Sequence, residues 1–247
     1  LVKTLRMCYK SPASNIISQT MKAIILAAGE GRRMRPLTEN IPKPLLQIQD
    51  KPLIEHIVLK LPKEIDELII VVGYLGQMIQ DYCGDNFLGR PVTYVLQSAP
   101  LGTYHAVFLA KEFIKEDERF FVLNSDDIHD KKGLEECLNY PRAIIVDEVD
   151  DPKPFGVVEL DENGFVLDII EKPEFPKTNL VNTGATLLDS NIFKYPAEQH
   201  PNGEFYIPTV IQKMLKDYPV KAVHSTGWLT VATPEDLARV EQILTNA

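Results

Sequence analysis

The residues best suited to chemistry stand in one short run, Leu26-Ala27-Ala28-Gly29-Glu30-Gly31-Arg32-Arg33-Met34-Arg35-Pro36-Leu37-Thr38. Small residues at Ala28, Gly29 and Gly31 let main-chain N–H groups approach phosphate oxygens. The arginines that follow can neutralise charge growing on a leaving pyrophosphate. A glycine-rich turn by itself has a plainer reading, a tight strand-to-helix connection. Two other nucleotide-binding patterns fail on spacing: the third glycine of a dinucleotide fingerprint would fall at Met34, and the Gly-Lys-Ser/Thr of a Walker A loop is absent. Ten residues after Arg33, Pro42-Lys43-Pro44 sets one lysine between two backbone-stiffening prolines, which can hold a cation at a fixed distance from a phosphate. Standing alone, Lys43 would be an ordinary solvated loop residue.

The elements that must position these groups show as apolar runs alternating with amphipathic ones. Strands are predicted near Lys22 to Ala27, Glu67 to Val72, Val92 to Gln97 and Arg119 to Asn124. Helices are predicted near Pro52 to Leu61, after Tyr74, and near Thr103 to Phe113. This βα alternation favours a parallel sheet covered on both faces, with ligands at the carboxyl ends of its strands. The rhythm then changes: Asp161-Glu162-Asn163-Gly164 divides two β-rich segments, Phe155 to Leu160 and Phe165 to Ile170, as in a hairpin. The second half is therefore expected to add a lid or substrate layer. A strand near Thr183 to Leu188, a helix near Tyr206 to Asp217, a strand near Val220 to His224 and a closing helix from Pro234 to Leu244 complete the pattern. Without repeats or a low-complexity linker, residues 21–247 are expected to form one domain, with residues 1–20 as an extension outside it.

With 26 Lys and Arg against 35 Asp and Glu among 247 residues, the formal net charge is -9. Extended contact with nucleic acid or anionic lipid is disfavoured, so cations used on phosphate must be local. Cys8, Cys83 and Cys137 are too few and too scattered for a disulfide framework or a zinc cluster, which points to a reducing compartment. No apolar run reaches the roughly 20 residues that span a bilayer, and the first residues lack a secretory signal's apolar stretch. The expected location is the cytoplasm, with no membrane or nucleic-acid partner. No residue fixes the oligomeric state, and a homo-oligomer stays open.

Leu-Ala-Ala-Gly-x-Gly-x-Arg-x-x-Pro-Leu-Thr followed by Pro-Lys-Pro-Leu-Leu resembles the sugar-1-phosphate nucleotidyltransferase (NDP-sugar pyrophosphorylase) family, and the resemblance runs from Met21 to the C-terminus. It implies an α/β fold: a Rossmann-like, mostly parallel sheet sandwiched by helices, with a β-rich sugar-side insertion in the second half. It also implies a Mg²⁺-dependent reaction in which an NTP and a sugar 1-phosphate give an NDP-sugar and pyrophosphate. By this match Arg33 and Lys43 are the catalytic cations, and Ala28, Gly29 and Gly31 belong to the nucleotide turn. Gln97-Ser98-Ala99-Pro100-Leu101-Gly102-Thr103 resembles the segment that reads the nucleobase, Gln97 through its amide and Gly102 through its main chain. Tyr104 stands where the family usually has a small residue. Phe121 to Asp127 resembles the strand that ends in a metal-binding aspartate, here Asp126, although an aspartate at a strand end is often only a turn cap.

On the sugar-phosphate side, Pro154-Phe155-Gly156, Glu171-Lys172-Pro173 and Val181-Asn182-Thr183-Gly184 match further family segments. The resemblance implies sugar-phosphate contacts from Gly156, Glu171, Lys172, Asn182 and Thr183, with Glu171 accepting from sugar hydroxyls and Lys172 holding the phosphate. A plainer reading of Glu171 and Lys172 is an exposed ion pair. One position departs from the family. Its Trp-Leu-Asp-x-Gly-Thr-Pro-Glu-Asp is here Trp228-Leu229-Thr230-Val231-Ala232-Thr233-Pro234-Glu235-Asp236, so Thr230 replaces a second metal-binding carboxylate. A hydroxyl is the weaker ligand for a hard cation. This leaves an alternative of a different class, a weak or inactive homologue that binds sugar nucleotide and regulates a partner. Transfer to a non-sugar phosphate such as phosphocholine is a further alternative, disfavoured by the sugar-side segments. The β-helix acyltransferase domain that some relatives carry after this last helix is not expected.

Overall fold

The computed structural model describes residues 21–246, so the expectation for residues 1–20 lies outside the described residues. The strands in chain order are β1 (Met21–Ala27), β2 (Gln47–Ile48), β3 (Lys51–Pro52), β4 (Ile65–Val72), β5 (Asn86–Phe87), β6 (Arg90–Leu96), β7 (Arg119–Asn124), β8 (Asp127–Ile128), β9 (Ala143–Glu148), β10 (Gly156–Leu160), β11 (Val166–Glu171), β12 (Leu180–Asp189), β13 (Lys221–His224) and β14 (Leu229–Thr230). The helices are α1 (Leu53–Lys60), α2 (Gly76–Cys83), α3 (Thr103–Leu109), α4 (Lys131–Cys137), α5 (Ile207–Met214) and α6 (Pro234–Thr245).

One sheet organises the molecule, in the order β11-β10-β12-β7-β1-β4-β6-β5, with β9 paired to β12 and β13 to β9. The four strands β7, β1, β4 and β6 run parallel, and their carboxyl ends open on the same edge. From β12 onward the pairing is mainly antiparallel. β1 is largely buried and, from Ala23 to Ala27, reads as a continuous apolar run, as expected of a parallel central strand covered on both faces. Its alternate residues feed two cores: Ala23 and Ile25 pack with α1 and α6, whereas Ile24 packs with α3 and α5.

The predicted hairpin forms, but β10 and β11 extend the edge of the main sheet instead of building a separate layer. α3 is shorter than its apolar pattern predicts and passes into a 3₁₀ turn over Lys111–Phe113. β9 and α4 have no counterpart in the sequence reading; Gly133 interrupts the helical period of α4. Near Gly184, whose φ is 87°, the pairing of β12 with β9 shifts register. Such a bulge bends a strand and re-aims its side chains.

Candidate active site

At the carboxyl ends of the parallel strands lies a cavity of about 410 Å³, and beside it, over the antiparallel half, a second of about 300 Å³. They share one wall, to which Arg33, Thr103, Asp126, Lys172 and Tyr206 contribute. The first cavity adds Ala28, Gly29, Gly31, Lys43, Gln97 and Gly102. The second adds Gly156, Glu171 and Asn182. Segments spread along the chain thus meet at a single cleft.

The turn after β1 is held by local contacts. Gly31 takes a left-handed conformation, φ 60°, and its carbonyl accepts the Thr38 hydroxyl at 2.8 Å, while Met34 is fully buried as an anchor. A side chain at Gly31 would press on Lys43 Cβ at 3.2 Å, so glycine lets the lysine pack directly against the turn. Three arginines follow, with different partners. Arg32 and Arg35 are drawn to Glu30, at 2.8 and 3.6 Å, whereas Arg33 has no carboxylate within ion-pair distance among the described residues and faces both cavities.

Lys43 is buried, and its Nζ lies 2.6 Å from Asp126 Oδ2. The two prolines hold the lysine in a short 3₁₀ turn directly below the strand end that carries the aspartate. Beside the second cavity, Lys172 adopts a left-handed backbone, φ 46°, fixed by its N–H on the Phe155 carbonyl at 2.9 Å. Its ammonium donates to the Tyr206 hydroxyl at 2.8 Å and lies 3.6 Å from Glu171. Burial opposes the lysine's charge, but Tyr206 and Glu171 outweigh it and hold the pKa above the usual value. Burial likewise pushes the Glu171 carboxyl up, against the pull of Lys172.

The loop before α6 is pinned against this wall. Thr233 and Asp236 form a reciprocal capping box, Asp236 also accepts the Ala232 N–H at 3.1 Å, and the Val231 N–H donates to the Asp126 carbonyl at 2.9 Å. Thr230 therefore lines the second cavity, paired with Asp127 across the β8–β14 ladder. Asp127 is itself buried and accepts from Trp228 Nε1 at 2.9 Å and Asn124 Nδ2 at 3.1 Å. Burial, then the neighbouring charge of Asp126, pushes its pKa up to about 7, against hydrogen bonds from Trp228, Asn124 and Thr230.

Thr183 is not brought to the cleft with the other expected residues. Successive side chains of a strand face opposite ways, so Asn182 and Gly184 line the second cavity while Thr183 turns inward. Its hydroxyl donates to the Ile145 carbonyl at 3.0 Å, and His129 Nε2 lies 3.1 Å from its own carbonyl. Tyr206 and Glu204, absent from the sequence reading, do line the first cavity, and the Tyr206 hydroxyl donates to Glu204. The polar and aromatic run Asn202-Gly203-Glu204-Phe205-Tyr206, just ahead of an apolar helix, was the available signal. Asn124, the last residue of β7 and two residues before Asp126, also lines both cavities.

Among the described residues no group of three or more His, Cys, Asp or Glu could hold a metal ion. Asp126 offers one carboxylate, already touched by Lys43, and Thr230 offers a hydroxyl. This donor set fits a hard cation that carries most of its oxygen shell on phosphates and water. No helix among the described residues is long and apolar enough to cross a membrane.

The Nucleotidyl transferase family profile matches residues 22–247. The bifunctional protein GlmU of Methanococcus maripaludis strain S2 is 37% identical over 222 residues, covering 88% of this chain and 53% of that protein, so the chain spans about half the length of such relatives. The UTP–glucose-1-phosphate uridylyltransferase AglF of Haloferax volcanii is 32% identical over 237 residues, covering 91% of this chain and 96% of AglF. Among solved structures, a Bacillus anthracis protein assigned as a glucose-1-phosphate thymidylyltransferase and bound to a sucrose superposes with a TM-score of 0.82 at 30% identity, covering 92% of this chain and 96% of that one. With the glycine-arginine turn, the Lys43–Asp126 pair and the two-part cleft all in place, the chain belongs to the nucleotidyl transferase family.

Proposed function

We propose that the protein joins the nucleoside monophosphate of an NTP to a sugar 1-phosphate, releasing pyrophosphate. The observation that carries this reading is the shared wall: Arg33, Asp126 and Lys172 stand at the boundary between a nucleotide-sized cavity beside the glycine turn and a second cavity lined by Gly156, Glu171 and Asn182. A phosphate oxygen of the sugar 1-phosphate attacks the α-phosphorus, one O–P bond forms, and the bond to the departing pyrophosphate breaks. The nucleophile is already ionised at neutral pH, so the work is alignment and charge neutralisation. Main-chain groups of Ala28, Gly29 and Gly31 and the cations Arg33 and Lys43 receive the triphosphate. Lys172, steadied by Tyr206, places the incoming phosphate, and Glu171 and Asn182 face the sugar hydroxyls. Gln97, Gly102 and Thr103 face the base. A divalent cation, Mg²⁺ in this reading, would be held by Asp126 and the substrates' phosphates and would supply further charge neutralisation.

Release of pyrophosphate from four NTPs against a panel of sugar 1-phosphates, with Mg²⁺, tests the assignment. Turnover with at least one pair supports it. Thr230 keeps a second reading alive, a subunit that binds sugar nucleotide without turnover; a rise in melting temperature with ligand and no pyrophosphate would favour that reading instead.

A further inference from the structure

Both amide hydrogens of Gln97 are committed inside the protein. Its Nε2 lies 3.1 Å from the Gly102 carbonyl oxygen and 3.0 Å from His105 Nδ1. A carbonyl oxygen can only accept, so the atom facing it is the amide nitrogen, which removes the usual ambiguity between amide N and O. The second hydrogen then points at His105 Nδ1, which must accept, and the imidazole carries its own hydrogen on Nε2. The Gly102 carbonyl is itself fixed. It accepts the Ala106 N–H at 3.3 Å at the start of α3, and its neighbours lock onto Phe205, whose carbonyl accepts the Tyr104 N–H at 2.9 Å and whose N–H donates to Leu101 at 2.8 Å. Gln97 lines the first cavity, and its side-chain hydrogen bonds to protein groups among the described residues both run through Nε2, which leaves Oε1 for a ligand.

We propose that His105 is a specificity-determining positioning residue: it makes Gln97 an obligate hydrogen-bond acceptor, so the site selects a nucleotide whose base presents a ring N–H. Uracil, thymine and guanine carry such a group; cytosine and adenine present a ring lone pair at the matching position. A lone pair set against Gln97 Oε1 leaves both acceptors unsatisfied, which is costly in a dry pocket. Releasing the second Gln97 N–H by removing His105 lets the amide donate as well, and discrimination weakens. This inference rests on the nucleotidyltransferase reading for the presence of a nucleotide in the first cavity, and it names the class of base.

Calorimetric titration of the full chain with UTP, CTP, GTP and ATP in the presence of Mg²⁺ tests it without requiring turnover. Within each pair of equal ring size, the N–H-bearing member should bind more tightly, UTP over CTP and GTP over ATP, by about a hundredfold for the preferred pair. N3-methyl-UTP, which lacks the donor, should bind no better than CTP. His105→Leu should narrow the ratio by about tenfold. His105→Asn, whose Oδ1 can take the place of Nδ1, should retain it. CTP binding as well as UTP and ATP as well as GTP, or an unchanged ratio in a folded His105→Leu, would overturn the proposal. Selective binding without pyrophosphate release would instead sink the enzymatic reading and leave the role of His105 standing. Absence of binding by any nucleotide would overturn both.

Discussion

The first cavity sets small residues that expose main chain, Ala28, Gly29, Gly31 and Gly102, beside the side chains of Arg33, Lys43 and Gln97. The second is lined by side chains carried on antiparallel strands and the loop before α5, with Glu171, Lys172, Asn182 and Tyr206 drawn together from separate elements. In the first, the glycine turn offers main-chain groups that need no rotamer to be held. The second depends on register and on hydrogen bonds between its own side chains. Where backbone supplies the contacts, contiguous sequence specifies the site; where side chains do, the packing of distant strands must specify it too.

The comparison breaks most visibly at Lys43. In the proposed reaction Lys43→Ala should cut pyrophosphate release about a thousandfold, because a cation would be lost from the developing phosphate charge, while far-ultraviolet circular dichroism stays native. An effect below tenfold would remove Lys43 from the chemistry.

A smaller loss is expected at the seam between the halves. An alanine Cβ at Gly184 would meet Asn124 Nδ2 and come 2.7 Å from Asp127 Oδ2, and the residue has φ 87°. Gly184→Ala should therefore cost about 3 kcal/mol of stability, read as a lowered denaturant midpoint. An unchanged midpoint would mean that β12 can shift freely.

The side-chain character of the second half sharpens at Lys172. Lys172→Ala should raise KM for the sugar 1-phosphate at least about tenfold and leave KM for the NTP nearly unchanged; equal rises in both would erase the division of labour between the cavities.

The smallest expected effect concerns His129, which links the segment after Asp126 to β12. Its ring is buried with Nδ1 unpartnered among the described residues, and burial lowers its pKa from 6.5 to about 4. The folded state then binds fewer protons than the unfolded chain between those values, so stability is full above pH 6.5 and falls as pH drops toward 4. The loss should reach about 1 kcal/mol near pH 6. Thermal melts from pH 7.5 to 5 would show it, and His129→Gln should flatten the slope.

Much of the parallel half was legible because a short continuous apolar run, a glycine turn and an amphipathic helix are local patterns. The positions of β1, β4, β6 and β7 agree with those patterns to within a few residues. The roles of Tyr206 and His105 were not legible, since each depends on a partner on another element, Lys172 for the tyrosine and Gln97 for the histidine. Thr183 shows the opposite limit: it stands inside the right motif, yet strand alternation turns its side chain into the core.

By itself the sequence determined the α/β class, the glycine-arginine turn after β1 and the order of the motifs along the chain, because each is encoded within a few consecutive residues. Only the tertiary structure decided that β10 and β11 join the main sheet, that Arg33 rather than Arg32 or Arg35 faces the cleft without a carboxylate partner among the described residues, and that the Gln97 amide nitrogen meets the Gly102 carbonyl and His105. Those outcomes depend on which distant groups meet across the sheet edge, and pairings of that kind leave no local signature in the chain.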